Sequence, residues 1–275
     1  MRLYRTRKGC VVEHAGAFST LPGQAWDGLV NREDLVPFLA ATLERGDRTG
    51  PVNRDDVLAP IEGQEVWGAG VTYHRSREAR MDEARETGGA DFYARVYHAV
   101  RPEIFFKASA HRVAGTGQAV RIRADSAWSV PEPELAVLVT RDGRIAGYTI
   151  GNDMSARDIE GENPLYLPQA KVYDGSCALG PGVLVGSDPL PPATEIALEV
   201  RRAGDVIVSS ATELGQMRRS IAELVECLTR ECSFPAGCYL LTGTGIVPPS
   251  DFTLAQEDEI AIRIDPIGVL ENVVA

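Results

Sequence analysis

The chain has 275 residues, 44% of them apolar, and a formal net charge of −11. That length supports one large domain, or a small unit joined to a large one, with a full core. The acidic balance excludes nucleic acid and anionic membrane surfaces as partners, and no segment is long enough to span a bilayer. Five cysteines with no CxxC pair and no signal peptide read as free thiols in a cytoplasmic protein.

Residues 1–60 read as a small appended α+β unit. Leu3-Tyr-Arg and Cys10-Val-Val suggest short strands, and Asp34 to Glu44 suggests a helix capped by Asp34. Arg48 to Asp56 reads as a loop. Residues 61–275 read as the unit that carries the chemistry. Glu65 to Tyr73 is a strand running into a turn. His74 to Arg85 is a charged helix, Gly88-Gly89 breaks it, and a second helix runs from Asp91 to Val100. Arg101 to Lys107 is a strand on which Glu103, Phe105 and Lys107 share a face. His111 follows and reads as a structural hydrogen-bonding residue.

The stretch from Trp128 to Pro181 dominates the chain. Glu134 to Val139 and Ile145 to Ile150 are apolar runs of strand length, and the Asp142-Gly143 pair between them is a strong hairpin signal. With those two residues as the loop, Arg141 faces Arg144 and Glu132 sits opposite Asp153. Glu134 lies two residues along on the same face, so three carboxylates converge. Leu135, Val137 and Val139 lie against Ala146, Tyr148 and Ile150 on the other face, the core side. Like charges placed opposite one another on a sheet are destabilising. A cation must compensate: Lys171, Lys107 or Arg157, or a divalent metal. All-oxygen ligands favour Mg²⁺, with Mn²⁺ and Ca²⁺ as alternatives. The bland alternative is an acidic sheet edge holding no ligand.

Beyond Pro181, Glu195 to Ser210 reads as two strands around Ala203-Gly-Asp205. Arg218 to Glu231 is an amphipathic helix with Ile221, Leu224, Val225 and Leu228 on one side. Gly237 to Leu241 is a buried strand leading into Thr242-Gly-Thr-Gly245, a loop able to hold an anion on its backbone N–H groups. It lacks the lysine and following helix of a P-loop. Asp258 to Ile264 is a last alternating strand. Strands dominate and helices are few, so the pattern indicates a β-rich α+β fold rather than a dinucleotide-binding one.

Glu132-Pro-Glu134, Gly151-Asn-Asp153-Met-Ser-Ala-Arg157-Asp158, Lys171-x-x-Asp174-Gly, Leu179-Gly-Pro181 and Leu241-Thr-Gly-Thr-Gly245 together resemble the fumarylacetoacetate hydrolase family. The resemblance runs from about Trp67 to the C-terminus and implies a mixed, rolled β-sandwich. Gly161 to Gly175 looks most like the family's 2-keto-3-deoxypentonate dehydratase branch. The family's hydrolases carry a histidine and a glutamate near the first helix, and Ser76 and Ala79 stand in those places here, with His74 and Glu78 out of step. The resemblance therefore implies a metal-dependent hydro-lyase that makes 2,5-dioxopentanoate from a 2-keto-3-deoxypentonate. The rival reading is a metal-dependent C–C hydrolase or decarboxylase of acylpyruvate-type substrates. Glu132, Glu134 and Asp153 are the expected metal ligands and Lys171 and Glu103 the expected catalytic pair. Ser76, Lys107, Arg157, Asp174 and Thr244 are assigned to the 2-keto acid substrate. A homodimer or homotetramer is expected.

Overall fold

The structure, a computed structural model, describes residues 1–83 and 90–275. The Gly88-Gly89 break expected between two helices lies outside the described residues. The chain begins with β1 (Arg2–Thr6), β2 (Gly9–His14), β3 (Ala17–Leu21), α1 (Trp26–Val30), α2 (Leu35–Arg45) and the short β4 (Arg48–Thr49), inside the stretch expected to be loop. Asp34 stands at the N-cap of α2, but its carboxylate pairs with Arg32 at 2.9 Å instead of capping the helix.

Next come β5 (Glu65–Gly70), α3 (His74–Glu83), α4 (Ala90–His98), β6 (Glu103–Ser109), β7 (Val113–Ala114), β8 (Ala119–Val120) and β9 (Ser129–Val130). The hairpin strands are β10 (Pro133–Val139) and β11 (Ile145–Asp153), followed by β12 (Ser155–Ala156), α5 (Arg157–Glu162), α6 (Leu167–Lys171) and β13 (Cys177–Val185). The chain closes with β14 (Glu195–Arg202), β15 (Asp205–Glu213), α7 (Ile221–Thr229), β16 (Cys238–Leu241), β17 (Glu259–Ile264) and β18 (Gly268–Val274). The last helix is shorter than expected. Ser220 caps it by accepting from the Glu223 N–H at 3.1 Å, and Arg219 instead donates to the Val96 and Ala99 carbonyls at the end of α4.

Among the described residues, a mixed sheet runs β4-β3-β2-β1-β13-β11-β10-β16-β5-β6, and a second sheet runs β15-β14-β17-β18-β8. β16 runs parallel to β5, whereas β10 and β11 are antiparallel. The inner face of the second sheet, with Ile196, Leu198, Ile260 and Ile262, packs on Leu135, Val137, Tyr148 and Ile150. The opposite face of the large sheet carries Ala136, Leu138 and Leu179, which pack with Leu3, Val12, Trp26 and Leu39 from the first sixty residues. Every residue of β10 is buried as a result. The chain is thus a β-rich, rolled sandwich with peripheral helices.

The central hairpin keeps the expected register by a different route. Thr140 closes the loop against Arg144, and Gly143 takes a φ of 76° that a side chain would strain. That three-residue loop shifts the pairing by one. A bulge between Leu138 and Val139 shifts it back. From Leu138 opposite Gly147 to Pro133 opposite Asn152 the register is the one a two-residue Asp-Gly loop would have set. Ala146 lies in the bulge, so it packs with the second core instead of beside Tyr148 and Ile150.

Candidate active site

The open end of the hairpin positions the acidic residues. The Asp153 N–H donates to the Glu132 carbonyl at 2.9 Å, which places the two residues across from one another. Glu132, Glu134 and Asp153 are at most 3% exposed, and one oxygen from each lies within 4.8 Å of the others. Oxygens on opposite sides of one Mg²⁺ or Ca²⁺ ion are about 4.2 to 5 Å apart, so that spread suits a single ion.

The cations come from four elements. Lys171, at the end of α6, donates from Nζ to Glu132 Oε2 at 2.6 Å, to Asp153 Oδ2 at 3.0 Å and to Ser155 Oγ at 2.6 Å. Arg157, the first residue of α5, donates to Glu132 Oε1 at 2.8 Å. Arg80, from α3, donates to the same oxygen at 2.6 Å, and its other terminal nitrogen lies 2.7 Å from Glu160 Oε2. Lys107 is fully buried, donates to the Met154 and Lys171 carbonyls at 2.8 and 2.5 Å, and rests 2.5 Å from Asp153 Oδ1 as an ion contact without hydrogen-bond alignment.

These contacts divide the carboxyl groups. Burial alone would raise the Glu132 pKa, but Lys171, Arg80 and Arg157 outweigh it and hold the group well below the usual carboxylate range. Glu134 meets no cation among the described residues and accepts from the Gly243 N–H at 2.5 Å. Burial, then Asp153 and Glu132, push its carboxyl well above the usual range. A buried carboxyl without an ion-pair partner among the described residues, beside two that have theirs, suits a site for a divalent cation. All-oxygen donors and burial fit the group, and its charge would favour the ionised form of Glu134. Lys171 is held as an ammonium: burial lowers its pKa, and Asp153 and Glu132 more than reverse that.

Glu103, at the start of β6, faces the same cavity. Burial, and next the Glu160 carboxyl, push it up to about 7. Glu103, Phe105, Ser76, Arg157, Lys171 and Thr244 all line the cavity with the three acidic residues. Most of the residues expected from sequence are therefore brought together. Lys107 and Asp174 are not brought to the cavity wall. Lys107 braces Asp153 from behind with its donors spent on backbone carbonyls. Asp174 has left α6 for the surface, where its side chain is 73% exposed and pairs with Arg112. The Thr242 to Gly245 loop does hold an anion on its backbone, and that anion is the chain's own Glu134. Gly243 has a φ of 91°, and a Cβ there would clash with the Thr72 hydroxyl.

Two charged cavity residues among those described went unread in the sequence, Arg80 and Glu160. Both had a helical signal. Arg80 is one turn beyond Ser76 on α3, and Glu160 is one turn beyond Arg157 on α5, so each shares a face with a residue already assigned to the site. His74 lies outside the cavity lining; its side chain is 59% exposed and held by Arg77 at 2.9 Å.

A family profile described as fumarylacetoacetate (FAA) hydrolase C-terminal matches residues 65–275. The chain belongs to the fumarylacetoacetate hydrolase family. It is 46% identical over 222 residues to a 2-dehydro-3-deoxy-D-arabinonate dehydratase of Saccharolobus solfataricus, covering 80% of this chain and 74% of that protein. It is 47% identical over 214 residues to a probable 2-keto-3-deoxyxylonate dehydratase of Haloferax volcanii, covering 78% and 73%. The solved structure of 2-keto-3-deoxy-D-arabinonate dehydratase complexed with magnesium and 2,5-dioxopentanoate superposes over 100% of this chain and 98% of its own, with a TM-score of 0.83 and 34% identity.

Proposed function

We propose that this chain is a metal-dependent hydro-lyase that converts a 2-keto-3-deoxypentonate into 2,5-dioxopentanoate. One observation carries the reading: three buried carboxylates sit beside a buried lysine, while the cavity holds a carboxyl poised near neutrality and, among the described residues, no histidine. The similarity to dehydratases of pentonate-derived keto acids agrees with it.

Glu132, Glu134 and Asp153 would hold the ion, with Mg²⁺ favoured and Mn²⁺ or Ca²⁺ as alternatives. A divalent ion there supplies positive charge to the 2-keto acid and makes its C3 protons acidic. Lys171 Nζ takes a C3 proton in its neutral form, after its own proton has passed to solvent. It stays an ammonium while Glu132 and Asp153 face it, and carboxylates engaged elsewhere hold its proton less tightly. Glu103 gives its proton to the C4 oxygen, which leaves as water. The new C3–C4 double bond then moves to C4–C5 as C5 loses a proton and C3 regains one, and the C5 enol tautomerises to the aldehyde. One water is lost and all five carbons are kept. Arg157 and Arg80 supply donors for the substrate carboxylate, and Thr244 and Ser76 line the remaining wall.

Elimination needs one base and one acid. Hydrolysis of an acylpyruvate needs a water deprotonated at a second carbonyl. Ser76, at the family's histidine position, donates to the Tyr73 carbonyl at 2.8 Å and is no base.

The raised pKa of Glu103 gives a signed expectation. A carboxyl that must donate its proton works below its pKa and fails above it, so kcat should fall as pH rises through about 7. Glu103→Gln should lower kcat by about two to four orders of magnitude and remove that alkaline limb. Steady-state rates from pH 5.5 to 9 on both proteins check this. A wild-type rate that instead rises through that range, or a variant keeping the limb, gives the acid role to another group.

Five unpaired cysteines suit a reducing compartment, and we place the enzyme in the cytoplasm. Exposed Val206 and Ile207 on the edge strand β15 support its assembly as a homodimer or homotetramer.

A further inference from the structure

Among the described residues, Glu160 is the one cavity carboxylate that the reaction just described leaves without a task. Its residue is 3% exposed, it stands on the cavity wall, and it reaches there from the inner face of α5. Its Oε2 lies 2.7 Å from an Arg80 nitrogen, yet that oxygen accepts no aligned hydrogen bond among the described residues. Arg80 already has a carboxylate partner in Glu132 at 2.6 Å. Glu132 also serves Lys171 and Arg157, so Glu160 shares in balancing Arg80 and still keeps an acceptor position open. A buried carboxylate with an unfilled acceptor position is costly, and such groups persist where a ligand supplies the missing donor.

We infer that Glu160 is a specificity-determining residue that accepts a hydrogen bond from the terminal hydroxyl of the substrate. This rests on the dehydratase reading and deepens it. A 2-keto-3-deoxypentonate has a keto acid at one end and hydroxyls at C4 and C5. The keto acid belongs with Glu132, Glu134 and Asp153. Two carboxyl groups remain on the wall among the described residues, Glu103 and Glu160. Glu103 serves the C4 oxygen that leaves, so Glu160 is left for the C5 hydroxyl. Arg80, pinned between Glu132 and Glu160, opposes the rise that burial imposes on the Glu160 pKa and keeps that acceptor aimed. Sites built around a hydroxyl reject the analogue without it far more strongly than apolar pockets do, because the site's own polar group is left unpaired. Glu160 thus also disfavours acylpyruvates, whose methyl or carboxylate end offers it no donor.

The test compares 2-keto-3-deoxypentonate with its 5-deoxy analogue, 4-hydroxy-2-oxopentanoate, reading loss of water from C4 in each. Wild-type enzyme should prefer the pentonate in kcat/KM by a factor on the order of 10⁴. Glu160→Leu should bring that ratio to within about tenfold of unity, mostly by losing activity on the pentonate. Glu160→Gln, which keeps the size and one acceptor, should give an intermediate ratio and serves alone if the leucine variant does not fold. A wild-type ratio near unity, or variants that slow both substrates equally and leave the ratio unchanged, would overturn the inference and return Glu160 to a counter-ion of Arg80. A wild-type enzyme that dehydrates neither compound would instead sink the dehydratase reading itself.

Discussion

Lys171→Met should lower kcat by about two to four orders of magnitude and leave a folded protein. The lysine is 2% exposed and its Nζ contacts Glu132, Asp153 and Ser155. Methionine keeps the stem's volume and removes the charge. Glu132 retains Arg80 and Arg157, and Asp153 retains Lys107, so neither carboxylate is stranded without a cation. Breaking a buried ion pair costs about 3 to 5 kcal/mol when no other partner remains, and the cost here falls below that range. Binding of Mg²⁺ and of an unreactive 2-keto acid, followed by calorimetry, should persist. A variant that turns over at near the wild-type kcat would make Lys171 a counter-ion only.

The three acidic residues should separate sharply on substitution. From the sequence, Glu132→Gln is expected to lose metal affinity with little loss of folding. The structure changes that expectation, because Glu132 is the shared partner of Lys171, Arg80 and Arg157. A neutral amide there leaves three buried cations under-compensated, at about 3 kcal/mol or more. For a domain of this size that corresponds to a fall in Tm of roughly 6 to 12 °C. Glu134 behaves oppositely. Its carboxyl has no ion-pair partner among the described residues and is pushed well above the usual range by burial, Asp153 and Glu132, so Glu134→Gln removes a charge its surroundings already disfavour and keeps the shape. Its carbonyl oxygen can still accept from the Gly243 N–H. Glu134→Gln should therefore melt close to wild type without metal. Both variants should lose Mg²⁺-dependent thermal stabilisation and turnover. Equal melting of the two metal-free variants would contradict the charge assignment. Retained turnover by either in the presence of a chelator would contradict the metal site.

Much of this site was legible because a hairpin turns spacing in sequence into opposition in space. Glu132 opposite Asp153 follows from the Asp142-Gly143 signal, and it survives because the one-residue offset of the real turn is cancelled by the bulge at Leu138/Val139. No residue pattern announces that cancellation. The turn itself was legible only in outline, since Thr140 closes it with side chain and backbone together. Alternation on β6 gave the direction of Glu103 and Lys107 but not their depth. Lys107 is directed to the site and then buried beneath it, as neighbouring backbone carbonyls claim its donors. Arg80 and Glu160 were missed for a different reason. Each pairs with a residue far away in sequence, and a charged helix such as α3 reads as solvated until something packs against it. The cations that compensate the acidic cluster could be narrowed to a few candidates by type. Only the fold shows that Lys171 and Arg157 serve Glu132 while Glu134 has no ion-pair partner among the described residues.

The central claim is dehydration without cleavage of a carbon–carbon bond. The most direct measurement incubates the purified protein with Mg²⁺ and a 2-keto-3-deoxypentonate and counts the carbons of the product. A single five-carbon aldehyde, 2,5-dioxopentanoate, should appear with no pyruvate, and acylpyruvates should react about two to four orders of magnitude more slowly for want of a water-activating base. Pyruvate and a second fragment as the main products would contradict the account.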